Sequence, residues 1–289
     1  MPPLLRLLRP HQYGKNLLIF SAPGAAGRLD EPRVFGLSLV AFALFCAVSS
    51  AGYVMNDLAD IEADRQHPTK RNRPLANGSV SPQHARLTGI ALVVGAFALS
   101  FTLDIAFVLL LVGYGALTAT YSLALKQVPW VELFAVSAGF LLRAVAGGAA
   151  TETPLSGWFL VVVSAGAFLI ITGKRLGEML TYDGSALTRK VLGGYSVGQL
   201  RVAAACAAGL AVGGYGLWAA AKASDLAAGS GGHLFLRITA VPFAIAIGRY
   251  LVLSWRGAGE TPESLVVRDR IMLTSGAAWL VFYAIGIYQ

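Results

Sequence analysis

The sequence predicts an all-α integral membrane protein, a bundle of nine transmembrane helices with a polar active site at the cytoplasmic face. Three observations predict it. Of 289 residues, 56% are hydrophobic and only 13% charged, with a mean hydropathy of +0.63, against about 25% charged in an average soluble domain. The apolar residues fall in blocks of about 20, the length a helix needs to cross a bilayer. No alternating apolar and polar pattern of strand type competes with them. These figures exclude an ordinary soluble enzyme, a disordered chain and a coiled coil. The formal charge of +8 belongs to loops between apolar blocks, so the bilayer and not a nucleic acid is the expected partner.

In chain order, spans are expected near residues 15–30, 33–55, 84–103, 105–125, 130–150, 154–175, 200–222, 233–255 and 271–288. The first is interrupted by Pro23 and several glycines. Its basic approach, Met1 to Lys15, lacks an evident small-residue cleavage site, so a retained span is expected and not a removable signal peptide. Gly139, Ala144, Gly147, Gly148, Gly209, Gly213 and Gly214 would let helices approach closely, which fits one domain over 1–289. Cys46 and Cys206 lie in apolar blocks without metal-ligand or paired spacing and are packing residues. No feature specifies a homo-oligomer.

Most of the 23 basic residues lie on one side of this arrangement: the N-terminus, the 56–86 loop, the 174–201 segment and the 256–270 loop. The positive-inside tendency places that side in the cytoplasm and the C-terminus opposite, in a multi-pass cell-membrane protein.

The most informative stretch is Asn56-Asp57-Leu58-Ala59-Asp60-Ile61-Glu62-Ala63-Asp64-Arg65, at the cytoplasmic end of the second span. On a continuous helix, at about 100° per residue, Asp57, Asp60 and Asp64 share an arc of roughly 60° while Glu62 points away. Three like charges on one face repel, and such an oxygen-rich cluster suits a hard cation such as Mg2+ that also takes substrate phosphate oxygens. Directly downstream stand Lys70, Arg71 and Arg73, on a loop that Pro68, Pro74 and Gly78 fold back. Metal ligands beside phosphate-binding cations are what a diphosphate requires.

A second polar loop carries Lys174, Arg175 and Glu178, then Tyr182, Asp183, Arg189, Lys190 and Tyr195. Lys174 and Glu178 are four apart and are expected to face each other. The N-terminal Arg9-Pro10-His11-Gln12-Tyr13-Gly14-Lys15-Asn16 adds a third basic element. Arg143 and Arg249, inside apolar blocks, are costly at membrane depth and mark either structure or function.

The Asn-Asp-x-x-Asp-x-x-x-Asp pattern of 56–64 resembles the UbiA superfamily of intramembrane prenyltransferases over essentially the whole chain. The longer string 56–78, the RPHQYGKN opening, YSLALKQVP at 121–129 and GKRLGE at 173–178 are most similar to its decaprenyl-phosphate phosphoribosyltransferase branch. One departure from the superfamily pattern agrees. Most aromatic members carry a second Asp-x-x-x-Asp motif after the sixth helix, whereas the acids between 174 and 200 are Glu178 and Asp183, amid cations suited to a substrate with additional phosphate.

The resemblance implies Mg2+-dependent transfer of 5-phosphoribose from phosphoribosyl diphosphate, PRPP, to a polyprenyl phosphate. It implies metal binding and catalysis at Asp57, Asp60 and Asp64, with Asn56 orienting. Lys70, Arg71 and Arg73 would meet the diphosphate, and Lys174, Arg175, Arg189 and Lys190 the sugar 5-phosphate. Lys15 with Arg9 would meet the lipid phosphate, while Glu178 would orient Lys174 or bind ribose hydroxyls, with Tyr182 beside it in the substrate-binding set. The rival readings are an aromatic prenyltransferase using the same aspartates and, from another class, a transporter, whose charges should instead sit near the bilayer midplane.

Overall fold

The computed structural model describes residues 1–181, 190–225 and 232–288. Among them every regular element is helical. Seven helical segments are long and apolar enough to cross a membrane: 32–59, 105–123, 131–150, 157–181, 197–224, 232–255 and 270–288. Two expected spans are not among the seven. Residues 15–30 form no single helix, because a 3-10 helix over Pro10–Phe20 passes into a short α-helix that ends on Gly27 at φ +73°. The block near 84–103 is helical as expected, but its first turn carries Gln83, His84 and Arg86.

The chain divides into two compact units, residues 1–123 with 142–154 and residues 124–141 with 155–289. The first contains α1 (Pro3–Leu8), α2 (Ser21–Ala26), α3 (Pro32–Ala59), α4 (Ile61–Gln66), α5 (Pro82–Ser100) and α6 (Ile105–Leu123). It also takes the second half of α7 (Val131–Ala150). Pro32 and Pro82 open α3 and α5 at positions where the missing N–H is no loss. Ser81 caps α5 by accepting from the His84 N–H. The core gathers Ile19, Phe45, Phe107, Leu111 and Tyr114, with the Phe45 and Tyr114 rings 5.0 Å apart. In lipid such packing is driven by close contact more than by water exclusion. Gly147 shows how close: an added Cβ would lie 1.9 Å from the Ile19 carbonyl oxygen. Val94 and Leu109 stand outward at 61% and 65% exposure, as lipid-facing side chains would.

The second unit holds the first half of α7 with α8 (Gly157–Thr181), α9 (Val197–Ser224), α10 (Gly232–Ile238), α11 (Ala240–Trp255), α12 (Pro262–Arg268) and α13 (Arg270–Tyr288). Ser196 and Gln199 form a reciprocal capping box that starts α9. Leu133, Leu176, Leu192, Tyr195 and Leu200 make one core; Leu169, Ala204, Ala207, Ala208 and Tyr250 make another. Gly177 brings α8 against the turn at Glu260, where a Cβ would sit 2.5 Å from the Glu260 nitrogen.

Candidate active site

The first unit assembles its polar site from three stretches of chain. α3 ends at Ala59, and Asp60, at φ −99° and ψ 7°, joins it to α4. The expected single helix through all three aspartates is therefore broken at the middle one. The Asp60 N–H still donates to the Asn56 carbonyl, and its own carbonyl accepts from the Asp64 N–H, so the chain direction is nearly kept. Asp57 and Asp64 remain neighbours, both at most 3% exposed. A single atom, Arg73 Nη1, donates to Asp57 Oδ1 at 3.1 Å and to Asp64 Oδ2 at 2.7 Å. Arg9 Nη2 donates to the same Asp57 oxygen at 2.5 Å, and its guanidinium lies 5.0 Å from the centre of the Tyr53 ring.

Backbone geometry delivers both arginines. Arg9 adopts a left-handed conformation, φ +53°, that turns the chain between α1 and the 3-10 helix. Arg73 ends the Lys70–Asn72 3-10 turn in extended conformation. Leu7, Val54, Leu75, Val80 and Ala85 form the apolar floor that holds these segments together. Arg6 Nη2 donates to the Asn72 carbonyl at 3.2 Å, and Arg65 Nε to that of Ala76 at 3.3 Å. The result is a cleft of about 400 Å³ lined by Arg6, Arg9, His11, Asp57, Thr69, Asn72 and Arg73.

The other first-unit residues singled out in the sequence are placed as follows. Asp60 is half-buried and has no side-chain partner among the described residues. Asn56 is half-buried, while Lys70 and Arg71 are exposed. Glu62 pairs with Arg65 on the surface at 2.7 Å. Lys15 Nζ donates to Gln12 Oε1 at 2.6 Å and does not line the cleft.

Among the described residues no three His, Cys, Asp or Glu side chains come together to hold a metal ion; of the expected trio, Asp57 and Asp64 lie buried together and Asp60 stands half-buried at the break between α3 and α4. The donor set nonetheless fits a hard divalent cation. Two buried carboxylates from α3 and α4 already converge on one positively charged nitrogen, and oxygen donors of this kind are what Mg2+ takes.

In the second unit Arg175 is enclosed by carboxylates. Its Nε and Nη2 donate to Glu132 at 2.5 and 2.7 Å, and its Nη1 to both oxygens of Glu178 at 2.9 and 2.8 Å. The Tyr195 hydroxyl donates to Glu132 Oε1 at 3.2 Å and accepts from the Trp130 N–H at 3.1 Å. Burial, reinforced by Glu132, pushes that hydroxyl up to about 12. One expectation changes: Glu178 faces Arg175, three residues away, and not Lys174. Arg175 has its guanidinium occupied on both edges. Lys174 is half-buried without a partner among the described residues. Tyr182, Asp183 and Arg189 lie outside the described residues, and of Lys190 only the backbone is described.

Glu132 is the residue that sequence reading missed. Its signal was a lone carboxylate opening an apolar helix, which is costly in a membrane unless a cation answers it. The two arginines inside apolar helices both have polar partners. Arg143 donates to Asn16 and Tyr114 at 2.7 Å each, and Arg249 pairs with Asp269 at 2.8 Å.

The sequence model described as the UbiA prenyltransferase family matches residues 17–275. A Mycobacterium tuberculosis protein named decaprenyl-phosphate phosphoribosyltransferase is 37% identical over 282 residues, covering 96% of this chain and 91% of its own. A Corynebacterium glutamicum protein of the same name is 36% identical over 291 residues, covering 99% and 86%. Among solved structures, a UbiA homolog from Archaeoglobus fulgidus, bound to DMAPP and Mg2+, superposes with a TM-score of 0.67 at 16% identity, over 99% of this chain and 98% of that one. At that identity the likeness speaks for the fold alone.

Proposed function

The chain belongs to the UbiA prenyltransferase family, and we propose that it is a polyprenyl-phosphate phosphoribosyltransferase, moving 5-phosphoribose from PRPP to a polyprenyl phosphate such as decaprenyl phosphate. The observation that carries the chemistry is the buried Asp57–Asp64 pair, joined through Arg73, with Asp57 lining a cleft that Arg6, Arg9 and Arg73 also line. Acids that can hold a divalent cation, beside cations that can hold phosphate oxygens, suit a diphosphate leaving group. The choice of donor and acceptor is supported by near full-length similarity to the two phosphoribosyltransferases and by the missing second aspartate motif.

In the reaction an oxygen of the lipid phosphate attacks C1 of the ribose, the C1–O bond to diphosphate breaks, and diphosphate leaves with the bonding electrons. The ribosyl centre passes through an oxocarbenium-like state. The attacking phosphate is already anionic near neutral pH, so no side chain has to remove a proton, and we assign no general base. Arg73, Arg9, Lys70 and Arg71 stabilise the charge that gathers on the departing diphosphate. Asp57 and Asp64, with Asp60 and Asn56 beside them, would hold Mg2+, whose contribution when bound is further charge compensation of that group. Lys174 is assigned to a substrate phosphate.

The same reading keeps nine membrane segments, with residues 10–26 and α5 added to the seven apolar helices. The N-terminus and the acidic segment are cytoplasmic and the C-terminus opposite. The deciding experiment incubates the membrane-embedded protein with Mg2+, polyprenyl phosphate and PRPP radiolabelled in the ribose. Label appearing in the lipid extract is expected. Label that stays in the aqueous phase, with a prenyl diphosphate consumed in its place on an aromatic acceptor, overturns the assignment in favour of the aromatic reaction.

A further inference from the structure

The Asp57–Asp64 pair is neutralised from within the chain. Two carboxylates meet two guanidiniums, Arg9 on Asp57 alone and Arg73 on both, so the cluster is balanced without a ligand. A divalent cation entering alone would add two positive charges to this buried, balanced group. A diphosphate entering alone would find the nearest guanidiniums already committed. Entering together, the two satisfy everything: the cation replaces the guanidiniums on the carboxylates, and the freed guanidiniums turn to the diphosphate.

Exposure shows which partners can move. The Asp57 and Asp64 side chains are 3% and 4% exposed and fixed on helices, whereas those of Arg9 and Arg73 are 24% and 27% exposed. Both arginines also line the cleft. Long flexible stems on the water side can swing into that cleft without moving a helix.

We propose that Arg9 and Arg73 are resident counter-ions that yield Asp57 and Asp64 to a divalent cation only when a diphosphate arrives to receive them, so that metal and diphosphate bind as a pair. The proposal rests on the diphosphate reading above, but not on which diphosphate is the substrate. It makes Arg9 a diphosphate-binding residue, where the sequence pointed to the lipid phosphate.

The test measures Mn2+ binding to the full chain in lipid nanodiscs by electron paramagnetic resonance, with and without inorganic diphosphate. Free Mn2+ is corrected for the complex formed in solution. In the wild type, diphosphate should tighten Mn2+ binding roughly tenfold or more, a coupling that must hold in both directions. Arg73→Gln should bind Mn2+ about tenfold tighter than wild type with no diphosphate present, and gain less when it is added. Arg9→Gln should show the same change more weakly, since Arg9 meets one of the two carboxylates and Arg73 both. Arg73→Lys, which keeps the charge, should behave as wild type does. Thermal unfolding checks each variant, and Arg9→Gln carries the test should Arg73→Gln not fold. Mn2+ binding that is indifferent to diphosphate in the wild type, or unchanged in both glutamine variants, overturns the proposal. Failure of the phosphoribosyl reading looks different: unlabelled lipid, with the coupling between Mn2+ and diphosphate intact.

Discussion

Each unit of this protein holds an arginine between two carboxylates, and the two triads behave as different objects. Arg73 bridges Asp57 and Asp64 with 27% of its side chain exposed. Arg175 is buried between Glu132 and Glu178, with 5% exposed. In the first, two buried acids meet a partly exposed guanidinium; in the second, both edges of a buried guanidinium are taken by carboxylates, and the Tyr195 hydroxyl donates to one of them, Glu132. Like residue chemistry therefore leaves the cation accessible, as the exchange proposed above requires, in one unit and encloses it in the other. A buried guanidinium cannot give up its partners without paying several kcal/mol of desolvation.

The strongest way to break this comparison is at the acids. Asp57→Asn and Asp60→Asn should each lower phosphoribosyl transfer by about 10²-fold or more while the unfolding temperature in detergent stays within a few degrees. Labelled-lipid assays beside thermal unfolding would show it, and retained turnover in Asp60→Asn would count against any metal role for that residue. Glu132→Gln should do the reverse. It leaves a buried arginine short of charge, at a cost of about 3 kcal/mol in stability, with transfer per folded molecule little changed. If that variant instead kept its stability and lost activity, the second triad would be a site as well.

Tyr195 gives a finer measure. Its folded-state pKa lies above the usual tyrosine value, so its stabilising contribution is complete below pH 10 and is lost as pH rises toward about 12. Tyr195→Phe should cost about 1 kcal/mol at neutral pH, and its difference from wild type in unfolding midpoint should shrink across that window. A difference independent of pH would remove Tyr195 from the network. The smallest effect is expected for Glu62→Gln, which breaks only a surface pair with Arg65. Such pairs are worth up to about 1 kcal/mol, and transfer should stay near the wild-type rate in the same assay.

Much of the fold was legible because bilayer crossing leaves a one-dimensional trace. Long apolar blocks set the seven helices, and even α3 and α13 begin within a residue of where their blocks begin. Residues 15–30 departed because Pro10, Pro23, Gly24 and Gly27 favour short, tight turns over one long helix. At the site, the spacing placed Asp57 and Asp64 together, and both meet Arg73. The geometry around Asp60 differs from expectation because helical periodicity assumes a continuous helix, and the chain breaks at that residue. Lys174 was matched with Glu178 by the four-residue rule, but Arg175 presents a planar fork that satisfies both oxygens of Glu178 and still reaches Glu132.

The sequence by itself determined that the protein lives in a membrane, that its aspartate motif sits where an apolar block ends, and which family it belongs to. Those properties depend on local composition and spacing. Only the tertiary structure decided which cation answers which acid. Arg9 lies 48 residues from Asp57, and Glu132 43 residues from Arg175. Electrostatic pairing depends on distance and burial in space, and neither is written in the order of residues along the chain.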